Sequence, residues 1–173
     1  MTAAYNADTF SITGLAVKLA EVDIGGGADA DTDMYGVYSS YTGQEDMVID
    51  AYWLYVRTGL PGVSDHVELH TLGARVAGTA SQFDYEAEVA FQTGDVGNGA
   101  DYDGIAVNTE FGYTFDSNLQ PRLFGGATLL EGPDSNGGDQ GFNRLFSDWE
   151  YSEFLSNTDL TNIILGRLGI SLQ

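Results

Sequence analysis

The sequence predicts an all-β protein: an antiparallel up-and-down meander of about eight long strands, forming a transmembrane β-barrel or an open, curved segment of a larger barrel. Three observations carry that prediction. The first is residues 83–92, where Phe83, Tyr85, Ala87, Val89 and Phe91 alternate with Asp84, Glu86, Glu88, Ala90 and Gln92. Period two sustained over such a length requires a strand with one apolar and one polar face, because a helix would scatter these side chains around its circumference. The stretch exceeds the usual ~5–6 residues of a globular strand and suits the ~9–11 that a tilted strand needs to cross a bilayer. The second observation is composition: 23 Gly against 3 Pro, and 12% aromatics with Tyr (10) ahead of Phe (9), which fits long strands, glycine-rich loops and rings at an interface. The third is the connections, which run alternately long and short, as in membrane barrels with one elaborated and one plain end.

Each element follows from local pattern. Residues 10–22 are the first strand, with Phe10 and Ile12 on one parity and Leu15, Val17 and Leu19 on the other, so a bulge is expected at Gly14. An acidic, glycine-rich loop over 24–33 leads to the second strand, 34–41, with Tyr35, Val37 and Tyr41 on one side. A short turn at 43–46 precedes the third, 48–57. That strand is apolar on both parities, which leaves its faces unassigned; Asp50 and Arg57 stand near its ends, within reach of water or headgroups. After a loop at 59–65, the fourth strand, 67–77, sets Leu72, Ala74 and Val76 against Thr71, Gly73 and Arg75. A tight turn at 78–81 leads into 83–92. Beyond a loop at 94–104, the sixth strand, 105–115, sets Ile105, Val107, Thr109, Phe111 and Tyr113 against Ala106, Asn108, Glu110 and Gly112. The seventh, 120–130, sets Leu123, Ala127 and Leu129 against Arg122, Gly126 and Thr128. A long excursion over 131–159 precedes the last, 160–172, with Ile164, Leu168, Ile170 and Leu172 opposite Arg167.

Charge narrows the functions. Acids outnumber bases 26 to 6, for a formal charge of -20, which argues against nucleic acid as a partner, since that requires basic patches. No cysteine is present, so disulfides and thiolate metal sites are excluded. The N-terminus has neither the basic nor the apolar region of a signal peptide, and no apolar run approaches the ~18 residues of a membrane helix. An exported barrel needs a signal peptide, so the 173 residues are expected to be a barrel domain that is a fragment of a longer chain.

The strand charges fall opposite the apolar residues. An Arg or Lys facing lipid near the midplane costs ~2–4 kcal/mol, so the charged parity is expected to face the lumen. Arg75, Asp84, Glu86, Glu88, Asn108, Glu110, Arg122 and Arg167 are the predicted pore-lining residues, with the stripe at 84–88 paired to Arg75 on the preceding strand. Phe83, Tyr85, Ala87, Val89 and Phe91 are expected to touch lipid, rings toward the interfaces. No catalytic residues, metal site or cofactor are expected. His66 and His70, four apart on a strand, stand ~13 Å from one another, too far for one metal. The acidic stretches at Asp29, Asp31 and Asp33 and at Asp134 and Asp139 resemble oxygen-rich calcium loops, but a loop starting at Asp29 has Ser40 where the last-position Glu would stand; both are read as solvated loops, with loose binding of divalent cations beside lipopolysaccharide as the alternative.

Several segments resemble the alginate-export family of outer-membrane barrels: 71–78 (Thr-Leu-Gly-Ala-Arg-Val-Ala-Gly), 83–95, 112–115 (Gly-Tyr-Thr-Phe) and the loop 142–154, followed by Asn162 and Arg167; 34–38 and 50–53 fit more loosely. The resemblance covers roughly 33–173. It implies an outer-membrane channel of a Gram-negative bacterium, in contact with lipid and lipopolysaccharide, in a barrel with many more strands than are read here. Arg75, Arg122 and Arg167 correspond to that family's arginine-type lumen positions, while the surrounding acids depart from it. The expected function is a non-enzymatic, porin-like channel for passive passage of polar or anionic solutes, with polysaccharide export in view. Two alternatives stand beside it: a small eight-stranded structural or adhesin barrel acting through its acidic loops, and a soluble β-sandwich or lipocalin-like binder.

Overall fold

The computed structural model describes residues 1–24, 28–60, 66–97, 100–135, 141–143, 145 and 162–172. Among them the strands are β1 (Thr2–Asn6), β2 (Phe10–Ala20), β3 (Asp23–Ile24), β4 (Ala28–Asp29), β5 (Thr32–Gln44), β6 (Met47–Gly59), β7 (His66–Ala80), β8 (Phe83–Asp95), β9 (Asp101–Thr114), β10 (Arg122–Leu130) and β11 (Ile163–Ser171). Nine of them form one sheet in the order β1-β2-β5-β6-β7-β8-β9-β10-β11, while β3 and β4 pair separately in the β2–β5 connection. Every pairing is antiparallel, so the sheet is an uninterrupted meander. The first and last strands of the sheet are not hydrogen-bonded to each other. Among the described residues the meander is therefore open, not closed into a barrel.

Two elements differ from expectation. Thr2–Asn6 is an extra short edge strand, whose five residues are all exposed and too few to carry a readable alternation. The irregularity in β2 falls between Lys18 and Ala20, and Gly14 stays in register opposite Ala3 and Val37. The apparent change of phase needs no bulge, because Leu15 and Val17 point to a face that is itself apolar at that end. The turn before β8 is also displaced: Gly78 stays in β7 opposite Tyr85, and Ser81 takes the left-handed φ of 60°. The expected start of the last strand at Leu160 lies outside the described residues, as do Asp65 and Asp139.

Register sorts the side chains onto two faces. One face, here called inner, carries even-numbered residues of β5, β6, β8, β9 and β10 and odd-numbered residues of β2, β7 and β11. This settles β6: Val48, Asp50, Tyr52, Leu54 and Val56 point inward, and Ile49, Ala51, Trp53, Tyr55 and Arg57 outward. Large apolar side chains stand exposed on the outer face, including Leu72 (53%), Phe111 (62%) and Leu168 (81%). A soluble sheet would bury that face; one in lipid has no need to.

Aromatic rings gather toward both ends of the outer face. At the long-loop end, Tyr35, Tyr55, Trp53 and His70 stack across β5, β6 and β7 with centroids 4.6–6.3 Å apart. At the short-turn end, Phe83, Tyr113 and Phe115 pack edge to face at 4.8–4.9 Å. From Phe83 to Phe91 the rise is about 27 Å along the strand, or roughly 20 Å along the normal at a ~40° tilt. That is close to the ~25 Å apolar band of membrane barrels. Val89 lies between the two groups, opposite Ala74 and Val107. Val89→Arg should therefore cost about 2–4 kcal/mol of folding free energy in lipid vesicles, read from the unfolded fraction by heat-modifiable gel mobility; undiminished insertion would place this face away from lipid.

Candidate functional site

The inner face holds the predicted residues together. Arg75, Asp84, Glu86, Glu88, Asn108, Glu110, Arg122 and Arg167 all lie on it, on five consecutive strands, β7 to β11. Their partners differ from the simplest cross-strand expectation. Arg75 Nη2 donates to Glu86 Oε2 at 2.8 Å, while Nη1 donates to Asp50 Oδ2 at 2.9 Å. Of the stripe at 84–88, only Glu86 is bonded to Arg75. Asp84 receives Nε of Arg122 at 2.9 Å and also its Nη2, and Glu88 accepts from the Tyr52 hydroxyl at 2.6 Å. Arg122 Nη2 also reaches Glu110 Oε1 at 2.8 Å. From the other side, Arg167 lies 3.3 Å from Glu110 Oε2 and donates to Asn108 Oδ1 at 3.2 Å, where Thr128 donates at 2.8 Å. The result is a mixed-charge lattice that runs from β6 to β11.

Glycines make room for it. A Cβ at Gly112 would overlap the Arg122–Asp84 fork, and one at Gly126 would meet Arg167 Nε at 2.9 Å. A Cβ at Gly73 would overlap the end of the Tyr52 ring. Each long polar side chain thus lies across a neighbouring strand where that strand has no side chain.

Several inner-face residues were not among the predicted lining set. Asp50 is 3% exposed, held by Arg75 and Ser40, and does not reach water at the strand end. Tyr38 and Tyr52, directly opposite across β5–β6, stack with centroids 5.8 Å apart and planes within 5°. Gln92 is 2% exposed. Its amide makes a pair of hydrogen bonds to the backbone of Asn143, accepting from N at 2.6 Å and donating to O at 2.7 Å, and it also donates to Thr71 Oγ1 at 3.0 Å. This clamp draws part of the β10–β11 connection onto the inner face, where Phe142 packs with Ala90 and Leu130. Between the tyrosines, this segment and the charge lattice lies a cavity of about 380 Å³. The signal for these residues was present in part: inner-face parity marked Gln92, and Gly73 opposite Tyr52 marked a close approach.

The remaining candidates separate. His66 faces Arg57 and Glu68, whereas His70 stacks on Tyr55 and accepts from Trp53 Nε1 at 3.3 Å. Asp31 accepts from Lys18 and from the Val22 amide. Among the described residues no group of three or more His, Cys, Asp or Glu converges as a metal site.

A two-faced, open β-meander of long strands, with ring clusters and large apolar residues on one face and a charged, clefted opposite face, has the pattern of a β-strand membrane-transport protein. The chain belongs to the alginate export family, whose model matches residues 5–173. Membership gives an outer-membrane, Gram-negative context and a transport role with a polysaccharide-type substrate; the family carries out export, not catalysis. No curated protein and no solved structure matches the chain.

Two outcomes follow from the lattice and the clamp. Arg75→Ala leaves Asp50 buried without its cation and should lower stability by about 1–3 kcal/mol, less than for a fully buried pair because Arg75 is part-exposed. Adding Asp50→Asn should recover most of that loss in urea midpoint. Gln92→Leu should speed hydrogen exchange at the Asn143 amide by about tenfold or more, since one bond of that kind is worth ~1 kcal/mol and the clamp has two.

Proposed function

We propose that this chain forms an arc of the wall of an outer-membrane channel, with the inner face as pore lining and the long-loop end outside the cell. The observation that carries the proposal is the segregation of the sheet's faces. The eight predicted lining residues share one face with a cavity, while large apolar residues and ring clusters occupy the other. The outer face meets lipid and, near the elaborated end, lipopolysaccharide. The open edges at β1 and β11 support a domain that is one part of a larger barrel, completed by strands beyond this sheet. Divalent cations at the acidic loops belong to the same proposal, with Asp31, already held by Lys18, outside their ligand set.

The channel does no chemistry, so passage follows width and lining charge. The three arginines are interleaved with five carboxylates, Asp50, Asp84, Glu86, Glu88 and Glu110. A polar solute or polysaccharide passing this arc meets alternating charge instead of one uniform field. Planar-bilayer conductance of the full-length protein tests the reading. Glu86→Leu removes one of the two partners of Arg75 and should shift the reversal potential toward anions in a salt gradient. A protein that inserts and never conducts would remove the channel and favour the structural or adhesin alternative.

A further inference from the structure

We infer that Tyr38 and Tyr52 form a stacking subsite for an uncharged pyranose ring, set in the cavity between the charge lattice and the inward-drawn segment at 141–143. The inference deepens the channel reading and rests on it for its setting. Tyr52 does not stand upright from the sheet. Its ring lies across β7 over Gly73, and its hydroxyl is fixed to Glu88 on β8. Tyr38 is parallel to it within 5°, offset at a centroid separation of 5.8 Å. Two rings laid over in the same sense, like roof tiles, present faces to the cavity as well as to each other. Tyr38 remains 38% exposed. Ring C–H groups of a pyranose are apolar on its faces and its hydroxyls point outward around the rim. A fixed aromatic floor with an acceptor at its edge, Glu88, and the Asn108–Thr128 pair farther along the same face matches that distribution. The cavity, about 380 Å³, lies in the ~300–1,000 Å³ range of small-ligand sites.

Local charge selects the kind of sugar. Glu88 is the charged side chain that lines the cavity, and Arg75, on the same face, is already engaged by Asp50 and Glu86. A uronate carboxylate placed here would meet the Glu88 carboxylate, and among the described residues no cation lines the cavity to offset it. An uncharged ring meets acceptors for its hydroxyls and no opposing charge.

The test is calorimetric titration of the full-length, detergent-solubilised protein with maltohexaose, cellohexaose and an oligomannuronate of equal length, alongside bilayer blockade by the same probes. At least one neutral hexaose should bind about tenfold or more tightly than the uronate. Tyr38→Ala and Tyr52→Ala should each weaken that binding at least tenfold, whereas Tyr52→Phe, which keeps the ring, should stay within about threefold. Gly73→Val supplies a second probe, since it lifts Tyr52 from the sheet and should lower affinity without removing a ring. Neutral-sugar binding that survives loss of both rings, preference for the uronate, or no binding by either neutral probe would each overturn the subsite while leaving conductance, and so the channel, intact. Ring-dependent binding in a protein that never conducts would keep the subsite and remove the channel.

Discussion

Glu86 and Glu110 stand directly opposite one another across the β8–β9 ladder. At the ~5 Å of a cross-strand pair two carboxylates repel by about 3 kcal/mol at an effective dielectric near 20. The rest of the inner face is arranged so that this juxtaposition can persist. Arg75 approaches Glu86 from β7, and Arg122 and Arg167 approach Glu110 from β10 and β11. Each arginine then recruits a further acceptor: Asp50, Asp84 and Asn108 respectively. The lattice therefore fixes register as well as charge. A slip of one residue in β8 would send Asp84, Glu86 and Glu88 to the outer face and Phe83, Tyr85 and Val89 inward, breaking bonds on both sides of the strand at once.

The same face changes character along the strands. Toward the short turns it is ionic. Toward the long loops it becomes apolar, with Met34, Leu69, Ala90 and Leu130 buried there and Phe142 packed among the last two. Tyr38 and Tyr52 lie where the two zones meet, level with Ala90, and Thr71 and Gln92 follow toward the long loops. Residues with an apolar body and a polar tip suit such a boundary, and this is where the cavity and the backbone clamp to Asn143 occur. Glycine governs the boundary as it does the lattice, because Gly73, Gly112 and Gly126 are the gaps across which Tyr52, Arg122 and Arg167 lie.

How much of this could be read in the sequence depended on contrast between faces. In β7 to β11 the inner parity carries charge and the outer parity apolar residues, so strand and face were legible. In β2 and β6 the inner face is apolar for half its length, and parity lost its meaning: Leu15 and Val17 looked like a change of phase, and Asp50 looked like a strand-end residue. The Arg75 contact that makes Asp50 an interior group depends on the neighbouring strand's register, which local pattern does not contain. Tyr38 was hidden because tyrosine fits either face, and Tyr35 and Tyr41 beside it do point outward. The clamp on Asn143 joins residues 51 apart in sequence, and no periodicity reports a contact of that kind.

The open edges follow from the same backbone logic. In lipid every strand N–H and C=O needs a partner, and each one left unmet costs several kcal/mol. β11 has nine residues paired to β10 and none beyond. About half of its backbone groups thus point away from the sheet, which in hydrocarbon amounts to tens of kcal/mol. The outer-face side chains tell the same story, since Ile164 (84%) and Leu168 (81%) at this edge are more exposed than Leu72 (53%) within the sheet. No arrangement of side chains on nine strands offsets a deficit of that size. In hydrocarbon such edges are met only by a further backbone ladder, which is why the proposed channel sets this sheet within a larger barrel.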